Sequence, residues 1–509
     1  MGWFEASARV SKSPVNTRCA LRLCCIRYAP DPFMRVSQMK RILAAIVALL
    51  SICGGTVWAE APATLRLDYV HSGNALVETY ALDRIVVEPL PWPGNPQRAI
   101  DDTNRGTNLF EVVDPKSGDV LYSRGYSTIF AEWKTTEEAQ RLSRAFQESL
   151  RFPMPSQPVR VRVLARDERN AFSVVWSVDV DPASQAIERK VGPAPAAPAP
   201  AAPIAIRNNG DSAVKVDLLI LGDGYTAQEA AKFESDARRL SDKLFVTSPF
   251  RERAQDFNVW ALMVPSQESG ISRPSAGAYK WSPLGTRYDI FGSERYALTL
   301  DNRALREISQ YAPYEFIEIL FNNETYGGGG IFGQFSTAAA SNEWAEYLFI
   351  HEFGHHFAAL ADEYYTSAVA YQSGEERPEP WEPNVSALHD PTKLKWLKDV
   401  SAGTPLPTPW PKAQYEKYQR EYQKERAALR AANRPESEMT ALFQRERKFT
   451  NDLFAKAAHG KEVGAFEGAN YQASGYYRPQ MQCIMFDRSE DFCRVCSDAI
   501  EQVIDLYSR

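Results

Sequence analysis

Residues 351–364 read HEFGHHFAALADEY, and this stretch predicts more about the fold and chemistry of the chain than any other. His351 and His355 are four residues apart, so on a helix they lie on one face and can bind one zinc ion. Glu352 is next to the first ligand, where a carboxylate can accept a proton from zinc-bound water. Because the chain has only six histidines among 509 residues, we prefer this interpretation to a core helix with incidental histidines.

The residues around the motif predict a buried helix. An apolar run over 344–350 precedes it, and Phe353 and Phe357 keep its other faces apolar. His356 lies about 140° from His351 around a helix and cannot share the metal face. We therefore predict that His356 either is structural or supports the metal ligands without binding the ion.

Asp362 is the predicted third metal ligand. It projects about 20° from His351 around a helix, but it lies about 10 Å along the axis beyond His355. The helix must therefore end or bend before Asp362, and a glycine that could do this is absent at Ala358. The adjacent carboxylate Glu363 is an alternative ligand. Further acidic candidates follow in the sequence: Glu375, Glu376, Glu379 and Glu382.

The start of the chain predicts export. Met39-Lys40-Arg41, an apolar run over 42–52 and the end of the signal near Ala59 have the three parts of a secretory signal peptide. Residues 1–38 resemble an upstream extension, with Met34 or Met39 as the start. We expect a bacterial protein that is secreted or periplasmic after cleavage near Ala59.

The composition restricts the partners of the mature chain, which is about 450 residues long. The net charge is −6 and no basic stripe is visible, which argues against nucleic acid. No later apolar run is long enough to span a membrane. Protein or peptide is the expected substrate, and the oligomeric state is left open.

The cysteines that remain after removal of the signal are Cys483, Cys493 and Cys496. In an oxidising compartment we expect one disulfide, from Cys483 to Cys493 or to Cys496. A second zinc ion on the three sulfurs is the alternative, but no fourth ligand is evident.

The pattern along the chain predicts an α+β protein. Residues 60–190 alternate like half-exposed strands, for example over 64–70 and 158–164, with a helix predicted over 137–150. A Pro/Ala linker follows over 191–205, where polyproline II is expected. The predicted catalytic domain is 206–509.

Within the catalytic domain, buried strands are predicted over 214–222, 257–264 and 316–321. Thr226 and Glu229 form a predicted capping box at the start of the first helix. Residues 410–460 are charged and have a helical pattern, which predicts a solvated helical insertion.

Two further features have candidate roles in the site. Gly328, Gly329 and Gly330 belong to a run of four glycines, whose bare backbone edge could pair with an extended substrate; a flexible loop is the alternative. Met485 is a candidate Met-turn residue beneath the zinc histidines, with an ordinary core methionine as the alternative.

Several separated segments resemble the M64 family of secreted bacterial metallopeptidases, whose label comes from a member that acts on IgA. The matching segments are LLILGDGYTAQE (218–229), FNVWALMVPSQESG (257–270), YGGGGIFGQ (326–334), HEFGHHFAALADEYY (351–365), EPNVSA (382–387) and CIMFDRSEDFCRVC (483–496). The resemblance implies a metzincin-like zinc peptidase domain preceded by a small mainly-β domain. It also implies one catalytic zinc ion and endopeptidase activity.

The predicted mechanism is hydrolysis of peptide bonds by a zinc-activated water, with Glu352 as general base. Tyr364, Tyr476 and Tyr477 are candidates for stabilising the oxyanion. Two other functions are compatible with the same motif. One is a zinc amidase acting on cell-wall peptide or small amides, and the other is a non-catalytic surface binding protein with a structural zinc.

Overall fold

Seven strands form two antiparallel sheets in the first part of the chain. A computed structural model describes residues 61–189, 202–366 and 377–508. One sheet has the strand order β2-β1-β5 and the other has the order β4-β3-β6-β7. The strands are β1 (Ala63–Gly73), β2 (Glu78–Pro91), β3 (Asn108–Val113), β4 (Val120–Tyr126), β5 (Arg144–Pro153), β6 (Val159–Arg166) and β7 (Phe172–Val180). Apolar side chains of both sheets, such as Leu67, Phe110 and Val161, pack together between them.

The predicted helix over 137–150 is wrong. A short 3-10 turn at Glu138–Gln140 is followed by strand β5, which pairs with β1 along its whole length. Phe146, Leu150 and Phe152 are buried at alternate positions, but Glu148 occupies the same face between them. This carboxylate is buried because its Oε2 atom lies 3.3 Å from Nδ1 of the buried His71. This buried polar residue therefore hid the alternation of apolar and polar residues that is typical of a strand.

The predicted linker over 191–205 lies largely outside the described residues. Its last two residues, Ile204 and Ala205, belong to strand β8 (Ile204–Arg207). The predicted signal peptide and upstream extension also lie outside the described residues.

A six-stranded sheet forms the frame of the second part of the chain, with the order β12-β13-β11-β9-β10-β8. The four inner strands are parallel, and the two edge strands β8 and β12 are antiparallel to their neighbours. Strands β9 and β11 are buried at every residue, which explains their nearly continuous apolar sequences. The strands not yet given are β9 (Val216–Asp223), β10 (Phe257–Met263), β11 (Phe316–Phe321), β12 (Gly328–Ile331) and β13 (Phe335–Ala339).

Helices cover both faces of this sheet. Leu218 and Ile220 of β9 face a core shared with three helices, α2 (Ala230–Leu244), α4 (Ala345–Ala358) and α7 (Arg494–Ser508). Leu219 and Leu221 face the opposite core, shared with α1 (Ile129–Trp133) and α3 (Asn302–Ser309). The alternation of these leucine and isoleucine side chains therefore attaches helix α4 to one defined face of the sheet.

The remaining elements follow the zinc motif. Helices α5 (Lys412–Ala431) and α6 (Glu436–Phe454) occupy the segment predicted as a charged helical insertion, and β14 (Phe466–Ala469) and β15 (Gln472–Arg478) form a hairpin. The predicted capping box is present, since the Glu229 carboxylate accepts hydrogen bonds from Thr226 N and Oγ1, each at 2.9 Å. No helix of the described residues is long and apolar enough to cross a membrane.

Arg105 connects the first part of the chain to helix α4. Its buried guanidinium donates to Ala358 O at 3.0 Å and to Ala499 O at 2.9 Å through Nη1, and to Gln502 Oε1 at 2.7 Å through Nη2. Ala358 is the last residue of α4, so this arginine satisfies a carbonyl group that the helix itself leaves without a partner.

We expect Arg105→Ala to lower the free energy of unfolding by about 3 kcal/mol, because two buried carbonyl groups lose a charged donor. Denaturant unfolding of the full chain measures this change. Arg160→Ala is the matched control, since Arg160 is exposed and its ion pair with Asp179 is screened by solvent. Equal effects of the two substitutions would contradict the proposed role of Arg105.

Candidate metal centre and substrate cleft

Helix α4 brings His351 and His355 together on one face. Their Nε2 atoms are 3.3 Å apart, as expected for residues four positions apart on a helix. The helix ends at Ala358, and Ala359 adopts the left-handed conformation with φ of 57°. This reversal costs about 1–2 kcal/mol for a residue other than glycine. The turn that the sequence required before Asp362 is therefore made at Ala359.

Asp362 closes the group of potential ligands. Its Oδ1 atom is 3.0 Å from His351 Nε2 and 3.3 Å from His355 Nε2. Asn384 holds the intervening loop, because its side chain donates to Ala361 O and accepts from Ala361 N. The three donor atoms therefore converge on one point, which is the arrangement that zinc requires.

The hydrogen bonds of the two histidines fit a metal ion. His351 Nδ1 lies 2.9 Å from Ile484 O, and His355 Nδ1 lies 2.6 Å from Leu360 O. Each Nδ1–H therefore donates to a carbonyl, which leaves a lone pair on each Nε2. Apart from these Nε2 atoms, the buried Asp362 Oδ1 has no hydrogen-bond partner in the described part of the chain. When both rings are neutral, three lone pairs meet at this point, and a cation between them relieves their repulsion.

The electrostatics of the pocket also favour a cation. Burial lowers the pKa of His355, but the carboxylates of Asp362 and Glu352 outweigh burial and raise this pKa to about 9. Burial opposes ionisation of Asp362, but the two histidines outweigh it and hold its pKa well below the usual range. Positive charge is therefore stabilised at the point where the three side chains meet.

Glu352 lines the same cavity, which has a volume of about 120 Å³. Burial raises the pKa of its carboxyl group, while His351 and His355 partly oppose this change. A carboxylate with a raised pKa is a stronger base than one in water. A carboxylate in this position is chemically able to accept a proton from water in the cavity.

Met485 lies in a tight turn beneath α4. The turn is closed by a hydrogen bond from Phe486 N to Cys483 O at 2.9 Å, and Met485 is fully buried. A Cβ atom added to Gly354 would be 3.0 Å from Met485 Sδ, so the glycine in α4 gives the methionine room. Because Ile484 O accepts the hydrogen bond from His351, the same turn orients a ligand of the candidate metal.

Comparison with protein-family profiles gives two matches. The profile described as IgA Peptidase M64 matches residues 204–504, and the profile described as Peptidase M64 N-terminus matches residues 59–177. This chain belongs to the peptidase M64 family. The resemblance found in the sequence is thus confirmed. A search of curated proteins gives no match.

His356 of this M64 peptidase has no part in the metal centre. It is fully buried, its Nδ1 lies 3.1 Å from Ile331 O, and its Nε2 accepts a hydrogen bond from Ile317 N at 3.1 Å. Burial lowers its pKa to about 3, so the ring is neutral. Of the two roles predicted from the sequence, it has the structural one, and it attaches α4 to strands β11 and β12.

The other acidic candidates for the third ligand lie elsewhere. Glu363 points to the three cysteines, with Oε1 at 3.3 Å from Cys496 Sγ. Glu379 accepts a hydrogen bond from Ala387 N and forms an ion pair with Lys395. Glu382 is not part of the cluster of ligand atoms that contains the two histidines. Glu375 and Glu376 lie outside the described residues.

The glycine run forms the edge strand β12, and its residues contact several neighbours closely. A Cβ atom added to Gly330 would be 2.3 Å from Glu352 O, and one added to Gly328 would be 2.5 Å from Thr337 O. The outer edge at Gly328 is already paired, since Gly328 N donates to Arg295 O and Gly328 O accepts from Ala297 N. Alternate residues of a strand direct their backbone groups to the same edge, so those of Gly330 face outward like those of Gly328. Gly330 is half-buried and lines the cavity. It is the position at which an extended peptide could pair.

One of the three candidate tyrosines lines the cavity. Tyr364 does so, and its hydroxyl oxygen accepts a hydrogen bond from Arg295 Nη2 at 2.9 Å. Tyr476 instead donates to Pro378 O at 3.1 Å, and Tyr477 pairs with Ser386 through the backbone. These two tyrosines are not brought to the site.

Sequence reasoning missed Tyr471 and Arg295. Tyr471 lies at the turn of the β14–β15 hairpin, and its hydroxyl donates to Asp362 Oδ2. The backbone of the same turn donates from Asn470 N to Asp362 O and from Tyr471 N to Tyr364 O, each at 3.1 Å. The hairpin could be predicted from Asn470 between two short strands, but its contact with the ligand loop depends on the tertiary structure.

The predicted disulfide is not formed in this structure. Cys483, Cys493 and Cys496 are all buried free thiols, and the sulfurs of Cys483 and Cys496 are 3.7 Å apart. A disulfide requires about 2.05 Å between its sulfurs.

We expect Asp362→Asn to bind one zinc ion fewer per chain than the wild type after dialysis against a chelator, because the site loses its only carboxylate ligand. Elemental mass spectrometry measures the change. Glu379→Gln is the matched control, since it alters a competing candidate ligand of the same loop region. If Glu379→Gln lost the ion and Asp362→Asn kept it, the assignment of Asp362 would be wrong.

Proposed function

We propose that this M64 peptidase is a secreted zinc-dependent endopeptidase that hydrolyses peptide bonds in proteins, with Glu352 as general base. The observation that carries this proposal is the convergence of His351, His355 and Asp362 beside Glu352 in one cavity. Secretion or periplasmic export rests on the signal-like segment that ends near Ala59.

The residues that would hold the metal are His351, His355 and Asp362. Two imidazoles and one carboxylate are a ligand set typical of catalytic zinc sites, which leave a position open for water or substrate. When bound, zinc acts as a Lewis acid that lowers the pKa of a water molecule and polarises a carbonyl group.

Glu352 carries the proton in the proposed reaction. Its carboxylate accepts one proton from the water that attacks the scissile carbonyl carbon. After the C–N bond breaks, the same group delivers that proton to the leaving amine. The raised pKa of Glu352 suits both steps, because the carboxyl group must first gain and then lose the proton near neutral pH.

Tyr364 and Arg295 form the proposed oxyanion site. Arg295 donates to the oxygen of Tyr364, so the hydroxyl hydrogen of Tyr364 is available to a developing negative charge in the cavity. Burial raises the pKa of Tyr364, which keeps the hydroxyl protonated.

The edge strand β12 supports polypeptide as substrate. An extended peptide can add to such an edge through main-chain hydrogen bonds, and Gly330 offers this edge beside Glu352 and His355. A zinc amidase for small amides would use the same centre but would not need an edge strand. A binding protein with a structural zinc would not need Glu352.

The turn at Met485 beneath the histidines, together with the chain reversal before Asp362, supports a metzincin-like catalytic domain. We base this part of the proposal on the contact between Met485 and Gly354 and on the hydrogen bond from His351 to Ile484 O.

Glu352→Gln tests the proposal directly. We expect this variant to keep its zinc but to cleave casein and a mixed peptide library at least about 100-fold more slowly, since the general base is lost. Glu346→Gln, at the start of the same helix and outside the cavity, should cleave like the wild type. If wild type and Glu352→Gln both bind zinc and neither cleaves any substrate, the binding-protein alternative replaces the proposal.

Tyr364→Phe tests the oxyanion site. We expect kcat to fall about 100-fold with little change in KM, because the lost donor acts on the transition state. Steady-state kinetics on one cleaved peptide measures both constants. Tyr476→Phe and Tyr477→Phe are matched controls outside the cavity, and a comparable fall in either would contradict the assignment of Tyr364.

A further inference from the structure

A second cluster of potential metal ligands lies behind the catalytic site. Glu363, Cys483, Cys493 and Cys496 are all buried, and their donor atoms lie within 4.8 Å of one another. Glu363 Oε1 is 3.3 Å from Cys496 Sγ and 3.9 Å from Cys493 Sγ. None of these four side chains has a role in the proposed hydrolysis.

Three separate segments supply the cluster. Glu363 follows the candidate catalytic ligand Asp362, and Cys483 opens the turn that contains Met485. Cys493 and Cys496 have the C-x-x-C spacing, with Cys496 in the first turn of α7. This spacing is typical of zinc sites, because it lets two sulfurs approach one ion from a single turn.

Backbone N–H groups are directed at two of the sulfurs. Cys493 N donates to Cys483 Sγ at 3.2 Å, and Cys496 N donates to Cys493 Sγ at 3.4 Å. Hydrogen bonds of this kind stabilise negative charge on sulfur, and the thiolate is the form that binds metal.

The side chain of Glu363 also indicates a bound cation. Its Oε1 accepts a hydrogen bond from Asn384 Nδ2 at 2.9 Å, but its Oε2 has no hydrogen-bond partner among the described residues. The buried Arg478 makes no hydrogen bond to it, since its Nη1 donates to Gly468 O at 2.8 Å and its Nε and Nη2 have no hydrogen-bond partner among the described residues. Burying a carboxyl group with an unpartnered oxygen among three thiols is costly unless the group is protonated or a cation is bound, and a cation at this point would contact all four side chains.

We propose that Glu363, Cys483, Cys493 and Cys496 bind a second zinc ion in a closed site with four protein ligands. Three soft sulfur ligands select zinc over magnesium or calcium, and four protein ligands leave no position for substrate. Binding displaces the protons of the three thiols and involves no oxidation or reduction. The carboxylate of Glu363, next to Asp362, thus supplies the fourth ligand that was not evident from the sequence.

The second zinc site is connected to the catalytic site by short hydrogen bonds. Glu363 N donates to Met485 O at 2.8 Å, and Ile484 O accepts the hydrogen bond from His351. Zinc at the cysteines would therefore hold the loop of Asp362 against the turn of Met485. Its role is to position the catalytic ligands.

Cobalt substitution of the full chain separates the two sites. Cobalt(II) bound to thiolates gives an intense charge-transfer absorption in the near ultraviolet, whereas the catalytic group has only nitrogen and oxygen ligands. We expect the wild type to bind two zinc ions and to show this absorption after exchange for cobalt. His351→Ala combined with His355→Ala should lose one ion and keep the absorption.

Two variants test the ligands. Cys493→Ser combined with Cys496→Ser should lose the absorption and one zinc ion. Because that variant could fail to fold, Glu363→Gln provides a milder test. We expect it to keep the three thiols but to release zinc to a chelator at least about tenfold faster than the wild type. Glu379→Gln is its control, and equal release from Glu363→Gln and wild type would overturn the four-ligand site.

The outcome is independent of peptidase activity. Absence of the charge-transfer absorption in wild type that binds catalytic zinc would overturn the second site. So would a mass lower by two hydrogen atoms, which would show a disulfide between two of the cysteines. An inactive protein that shows the absorption would instead refute the proposed peptidase function and leave the second site standing.

Discussion

A helix can present two metal ligands four residues apart, but it cannot bring a third from its own next turns to the same ion. The arrangement around α4 depends on this limit. The chain has to reverse directly after the helix, and Ala359 makes the reversal in a conformation that alanine rarely adopts. The helix end, the Asn384 side chain and the β14–β15 turn all stabilise the short loop that follows. If the helix continued instead, Asp362 would lie about 10 Å along its axis beyond His355.

The region before residue 190 also supports this helix end. Arg105 extends from the loop before β3 to the last carbonyl of α4 and to α7, so the two parts of the described chain share a buried cation. Desolvating an arginine is costly, and the compensating carbonyl groups must therefore be held in place. This contact connects the N-terminal region directly to the helix that carries His351 and His355.

Much of the candidate site could be predicted from sequence, because helical periodicity and ligand spacing are local properties. His351, Glu352, His355 and the buried strands β9, β10 and β11 belong to this class. The helix predicted over 137–150 was wrong because Glu148 interrupts the apolar alternation of β5 and pairs with His71, which lies 77 residues away. Glu363 and Tyr471 could not be assigned for a similar reason. Their partners come from distant segments, and an acidic or aromatic residue in a loop carries no local signal of its partner.

Asp362 and Glu363 are consecutive residues whose carboxylates face different environments, one the cavity and the other the buried sulfurs. The peptide unit between them therefore separates the cavity from the buried core. Deleting one residue before Asp362 would place Glu363 at the cavity, and inserting one would place Asp362 at the sulfurs. Either change would leave one of the two environments without its carboxylate. The length of the loop should thus tolerate less variation than its composition, and an engineer who wished to alter the cleft would have to keep this spacing fixed.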